Sequence, residues 1–173
     1  MGRRPQALPF LCACALAACA RSGASGSATA AAPQVAHVGQ PAPAWTEQTL
    51  GGSKLSLSDL HGKAVYLNLF ATWCEPCNEE APDINDLQRT LGPRGLQVVG
   101  VDILENATKA AQFRKEHHLV YPVVVDSGTL RDQYRVNGLP VHVFIDRSGN
   151  VARIVIGEMS AAEMRSAAER LLE

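Results

Sequence analysis

Residues 64–71, AVYLNLFA, form an apolar run rich in β-branched and aromatic side chains. Such a run suits a strand buried on both faces, so helices must cover the sheet on either side. The rest of the chain agrees with that demand. Residues 75–91 read as a helix, with Pro76 in its first turn and Gly92-Pro93 at its end. LQVVGVDI (96–103) is a second buried strand, NATKAAQFRKEHH (106–118) a helix, YPVVVD (121–126) a strand and TLRDQYRV (129–136) a short helix. VHVFID and VARIVIG flank the turn residues SGN as a hairpin, and Ser160 to Glu163 has the capping-box pattern of a final helix. Upstream, residues 45–49 and KLSLSDLHGK supply two short strands ahead of the central run. No internal repeat is visible. The fold class is α/β, a central sheet with helices on both faces.

The chain opens differently. Arg3 and Arg4 precede an apolar run and then small residues, the anatomy of a secretory signal too short to span a bilayer. Its end, LAAC at Leu16–Cys19, resembles the bacterial lipobox, in which the cysteine is lipidated and becomes residue one. Ordinary cleavage with Cys19 incidental is the alternative. Cys14 fits the pattern worse, because Cys12 stands where a small residue belongs, and RRPQAL lacks the flanks of a twin-arginine signal. Residues 1–18 are therefore expected to be a signal peptide and 19–37 a lipidated cysteine plus an Ala/Ser/Gly-rich tether. Residues 38–173 are expected to form one domain, outside the cytoplasm on a bacterial membrane. A content of 46% apolar and 19% charged residues supports a core without disulfide scaffolding. Net charge is −1 with no basic block, which leaves nucleic-acid binding without electrostatic support.

Removing the signal removes Cys12 and Cys14, leaving Cys19 and the pair Cys74 and Cys77 in WCEPC. A staple closing so small a loop adds little stability, because the entropic gain grows with loop length. A zinc site needs further ligands, and there is neither a second CxxC nor a His-x-x-x-His arrangement. Redox chemistry needs less. Cys74 falls where the central strand ends and Cys77 in the first helical turn. Unpaired N–H groups and the helix dipole there favour a thiolate on Cys74. That thiolate can attack a partner's disulfide, and Cys77 can resolve the mixed disulfide.

WCEPC after a buried strand, with VNGLPVHVFID downstream, resembles the thioredoxin superfamily. The lead-in VGQPAPAW…LSLSDLHGKAVYLNLFATWCEPC is similar to its TlpA/ResA-like branch of membrane-tethered extracytoplasmic thiol–disulfide oxidoreductases. The likeness runs from Val38 to Glu173. It implies a thioredoxin-like fold with a central mixed sheet and an N-terminal β-hairpin extension. It also implies Cys74 as nucleophile, Cys77 as resolving thiol, and Trp73 as a shield on one side of the pair. Pro140 matches the superfamily's cis proline, the alternative being an ordinary trans turn, and Leu139 would offer backbone groups to the partner chain. Glu75 and Pro76 would tune the pair. Glu80 matches an acid–base glutamate of tethered relatives, against the plain reading of a solvated helix carboxylate. No cofactor beyond the redox-active pair is implied. Expected partners are protein disulfides and thiols, such as those of apocytochrome c or an oxidase copper site. A membrane thiol reductase would supply electrons, and the chain is expected to be a monomer.

Some positions depart from the pattern. Asn68 stands where thioredoxins carry a buried aspartate, Phe70 where many relatives have tryptophan, and His142 where they carry threonine. His142 reads as a neutral core histidine, with tuning of the thiolate as the sharper possibility. His117 and His118 close a helix and favour its negative end. Two other functions stay open. A copper-binding or metallochaperone role has CxxC but no Met-rich or His-rich tract behind it. A peroxiredoxin-like peroxidase would want a hydroxyl residue where Ala71 stands.

Overall fold

The computed structural model describes residues 1–2 and 34–173; the signal, Cys19 and most of the tether lie outside the described residues. Among the described residues, seven strands and four α-helices follow in chain order. β1 (Thr46–Thr49) and β2 (Lys54–Ser56) form a hairpin, and β3 (Ala64–Phe70) leads into α1 (Glu75–Leu91). Then come β4 (Leu96–Asp102), α2 (Ala107–Glu116), β5 (Val123–Val125) and α3 (Thr129–Gln133). β6 (Val141–Ile145), β7 (Val151–Ile156) and α4 (Ala161–Arg170) complete the chain. Among the described residues, no helix is long and apolar enough to cross a membrane.

The strands make one mixed sheet in the order β2-β1-β5-β4-β3-β6-β7. β3 pairs in parallel with β4, and β4 with β5; the remaining pairings are antiparallel. The N-terminal hairpin extends this sheet by pairing Gln48 and Thr49 of β1 with Val125 and Val124 of β5. Every residue of β3 is buried. Tyr66 and Phe70 face the core under α1, α2 and α4, where Ile84, Phe113 and Met164 meet them. Val65, Leu67 and Leu69 face the opposite core, closed by α3, a 3-10 turn at Leu57–Leu60 and the segment around Trp45. Full burial of side chains such as Leu67 or Phe144 contributes about 1.5–3 kcal/mol each.

Helix starts follow their caps. Cys74 caps α1 with Pro76 in its first turn. Asn106 Oδ1 accepts the Thr108 and Lys109 N–H groups at 3.0 and 3.2 Å. Ser160 and Glu163 form the reciprocal box that opens α4. Packing begins at Ala36, two residues ahead of the expected domain start. Its N–H donates to the Gln133 carbonyl at 2.9 Å, and its side chain is buried.

Candidate active site

β3 ends at Phe70, and the next turn delivers Cys74 to the N-terminus of α1. Cys74 and Cys77 are joined as a disulfide with Cα atoms 5.3 Å apart. The Cys77 N–H donates to Cys74 Sγ at 3.3 Å, so an unpaired helix-end donor points at this sulfur. The chemistry calls for an exposed sulfur, yet Cys74 is only 5% exposed and Cys77 2%. Access comes through a cleft of about 480 Å³ lined by Trp73, Cys74, Pro76, Ile103, Leu104 and Leu139 among others. Trp73 stands 66% exposed and Leu104 64%, an apolar rim beside the pair. The far wall carries the Leu139–Pro140 peptide, which is cis. Glu75 is exposed on the same wall as Cys74.

Behind the sulfurs lies a buried polar layer on the α1 face of the sheet. Glu80, one turn past Cys77, is 4% exposed, so it is not a solvated helix carboxylate. Its Oε1 accepts the Met159 N–H at 2.6 Å, while Oε2 has no hydrogen-bond partner and lies 3.5 Å from His142 Nε2. Burial pushes this carboxyl up to about 7; the Met159 bond pulls it down, and Glu158 and Asp83 add to the rise. His142 is fully buried, and its ring nitrogens meet Tyr66 Oη at 2.7 Å and the Gly157 carbonyl at 3.1 Å. Burial brings His142 down to about 4, so it is neutral at physiological pH. Asn68 sits opposite His142 in the β3–β6 register, with its side-chain Nδ2 unpartnered. Asp102, at the end of β4, is fully buried with neither oxygen bonded; burial and then the Glu105 charge push it up to about 7.

Other residues hold the turn before the cysteines, and no pattern in the sequence points to them. Asn78 Nδ2 donates to the Thr72 carbonyl at 3.0 Å and the Cys74 carbonyl at 2.8 Å. With its amide so engaged, Asn78 Oδ1 accepts the His117 Nε2–H at 2.9 Å. His117 also lies 4.3 Å from the Phe113 ring, centroid to centroid, and burial lowers its pKa. It bridges α2 to the reactive turn rather than serving as a cation at a helix end. Glu105 closes the turn from the other side through the N–H and hydroxyl of Thr72. Among the described residues, no three His, Cys, Asp or Glu side chains gather as a metal site.

Comparison with known proteins agrees with this geometry. Residues 38–154 match the AhpC/TSA family. A thiol–disulfide oxidoreductase ResA of Bacillus cereus is 33% identical over 136 residues, 78% of this chain and 79% of ResA. ResA of Geobacillus kaustophilus is 34% identical over 137 residues, covering 79% and 76%. A thiol:disulfide interchange protein of the thioredoxin family from Chlorobium tepidum TLS superposes with a TM-score of 0.73. It is 32% identical and covers 78% of this chain and 97% of its own. A putative DsbE from Chlorobium tepidum gives a TM-score of 0.74 at 29% identity, covering 80% and 99%. With its mixed sheet, paired cysteines and cis proline, the chain belongs to the AhpC/TSA family and, within it, to the ResA-like thiol–disulfide oxidoreductases of thioredoxin fold.

Proposed function

We infer that the chain reduces disulfides of partner proteins outside the cytoplasm by dithiol exchange through Cys74 and Cys77. The observation that carries this reading is the placement of Cys74 Sγ at the N-terminus of α1, opening on an apolar cleft opposite Leu139–Pro140. In the reduced chain the Cys74 thiolate attacks one sulfur of a partner disulfide. A Cys74–partner bond forms, the partner's S–S bond breaks, and its second sulfur leaves as a thiolate. Cys77 then gives up its proton to the Glu80 carboxylate and attacks Cys74 Sγ. The intramolecular disulfide forms, and the partner's remaining sulfur leaves. Two electrons pass to the partner; its two leaving thiolates take up one proton released from Glu80 and one from solvent, and it ends as a dithiol. Trp73 and Leu104 shelter the mixed disulfide, and Leu139 presents backbone groups to the partner's chain.

The reducing direction rests on Glu75. A carboxylate beside Cys74 disfavours its thiolate and so works against the stable thiolate on which a strong oxidant depends. Recharging then requires a membrane thiol reductase, with Cys19 as the lipid anchor and partner cysteines such as those of apocytochrome c or a copper site as substrates. Ala71, buried three residues before Cys74, offers no hydroxyl for peroxide, so peroxidase chemistry is not favoured. The test is the reduction potential of a soluble form lacking residues 1–33. A value near roughly −270 mV or lower supports a reductase, and one near roughly −120 mV would make the chain an oxidant and overturn the direction.

A further inference from the structure

His142 stands at the centre of the buried polar layer, and each of its ring nitrogens has a defined task. Nε2 lies 3.1 Å from the Gly157 carbonyl. A carbonyl only accepts, so Nε2 carries the proton. Nδ1 is then a lone pair, and the Tyr66 hydroxyl 2.7 Å away donates to it. The ring is locked in one neutral tautomer by residues on β3 and on the segment after β7. The same Nε2 lies 3.5 Å from Glu80 Oε2, the carboxyl oxygen that has no hydrogen-bond partner. Gly157, whose carbonyl accepts the ring N–H, also donates its own N–H to the Pro140 carbonyl at 2.8 Å. One imidazole therefore joins Tyr66, the backbone that seats the cis proline, and the free oxygen of Glu80.

We propose that His142 is a positioning residue for Glu80, sharing its Nε2–H between the Gly157 carbonyl and Glu80 Oε2 whenever that carboxyl is ionised. A shift of a few tenths of an ångström brings the 3.5 Å contact into hydrogen-bond range. When Glu80 is protonated, the N–H returns wholly to Gly157. His142 thus stabilises the carboxylate that receives the cysteine proton, and it does so as a dipole, not as a charge. The proposal rests on the acid–base role of Glu80 given above.

The charged and titratable surroundings fit this arrangement. Asp83 on α1 and Glu158 on the segment after β7 face Glu80 and oppose its ionisation. Arg153 on β7 opposes a positive His142 and helps keep the ring neutral. Tyr66 is faced by Glu80 and by Tyr121, and burial holds its hydroxyl protonated as a donor. Cys74 and Cys77 lie one turn or more before Glu80 on α1. Within this layer, the His142 N–H is the neutral donor that lies within reach of Oε2.

The experiment follows Cys74 alkylation by iodoacetamide in the reduced full chain across pH, resolved at that site by peptide mass spectrometry. Besides the inflection of Cys74's own ionisation, wild type is expected to show a second one that Glu80→Gln abolishes. His142→Leu should move this inflection upward by about one pH unit, the scale of a hydrogen bond shared with a charged group. His142→Gln, which restores an N–H at the reach of Nε2, should return it toward the wild-type position. In the Glu80→Gln background, His142→Leu should shift nothing further. His142→Thr, too short to reach Oε2, repeats the test with a smaller polar side chain should the leucine variant fail to fold. An unmoved inflection in His142→Leu and His142→Thr, with Glu80→Gln still abolishing it, overturns the proposal alone. A profile unchanged by Glu80→Gln overturns the role of Glu80 and the proposal with it.

Discussion

Replacing Glu80 with glutamine should stabilise the oxidised protein, and the amount should depend on pH in a defined way. The carboxyl ionises near 4.5 in the unfolded chain and near 7 in the fold, because burial penalises its charge. Below about pH 4.5 both states hold the proton, and the group costs nothing. Between 4.5 and about 7 the unfolded chain loses its proton while the folded one keeps it, so stability falls as pH rises. At 1.36 kcal/mol per pH unit the full gap amounts to about 3 kcal/mol. Glutamine is nearly isosteric and keeps an oxygen for the Met159 N–H, so it removes the titration without opening a cavity. Urea unfolding of the oxidised soluble form, read by fluorescence of the buried Trp45, should give equal stabilities for wild type and variant near pH 4. Near pH 8 the variant should be more stable by about 3 kcal/mol. Asp102 titrates in an overlapping window and remains in both proteins, so it cancels in the difference. Curves that stay parallel at every pH would refute the reasoning, since Glu80 would then ionise alike in both states. On the acid–base role inferred for Glu80, a gain in stability at high pH would come with a loss of activity, the usual exchange at a functional site.

Two further outcomes follow from the packing. Asn78→Ala deletes two hydrogen bonds to the turn before the cysteines and removes the acceptor of the half-buried His117 N–H, which should cost about 1–3 kcal/mol in urea unfolding. Gly100→Ala would bring a methyl group within 3.2–3.3 Å of Phe70, Tyr121 and Val123, an overpacking worth about 1–3 kcal/mol by the same assay. Its Cys74 alkylation profile should keep the wild-type inflection, because Glu80, His142 and Tyr66 are untouched.

Much of this molecule is written in local patterns. The apolar run of β3 announces a central strand, and Pro76, Gly92 and the Ser160–Glu163 box mark helix ends by rules that act over a few residues. The structure follows each of them. Glu80 came forward through the family resemblance, and its burial against a solvated reading came only with the fold. The clamp of Asn78 on His117 was not, since it joins α1 to the end of α2 across 39 residues. His117 reads in isolation as a helix-end cation, and only the fold places an amide oxygen beside it. Asp102 lies inside the run read as a buried strand, but nothing there marks its carboxyl as left without a hydrogen-bond partner. Its complete burial arises from the helices that close over β4. His142 could be read as core or as tuner. Its partners Tyr66 and Gly157 come from the register that sets β6 beside β3 and from the path of the chain after β7, neither of which a single strand encodes.

The N-terminal residues have a mechanical meaning for the sheet. Gly39 and Ala42 bond to Val151 and Gly149 at the start of β7, while β1, a few residues on, pairs with β5 at the opposite flank. The segment from Ala36 to β1 thus packs on one face as a strap, bonding the start of β7 at one flank and leading into the strand that covers β5 at the other. Uncovered margins are templates for pairing between molecules. A truncation that removes the strap exposes the free side of β5 and the start of β7 together, and it should raise aggregation, as read by light scattering. Trimming that stops at Gln34 keeps the bonds to Val151 and the pairing of β1 with β5.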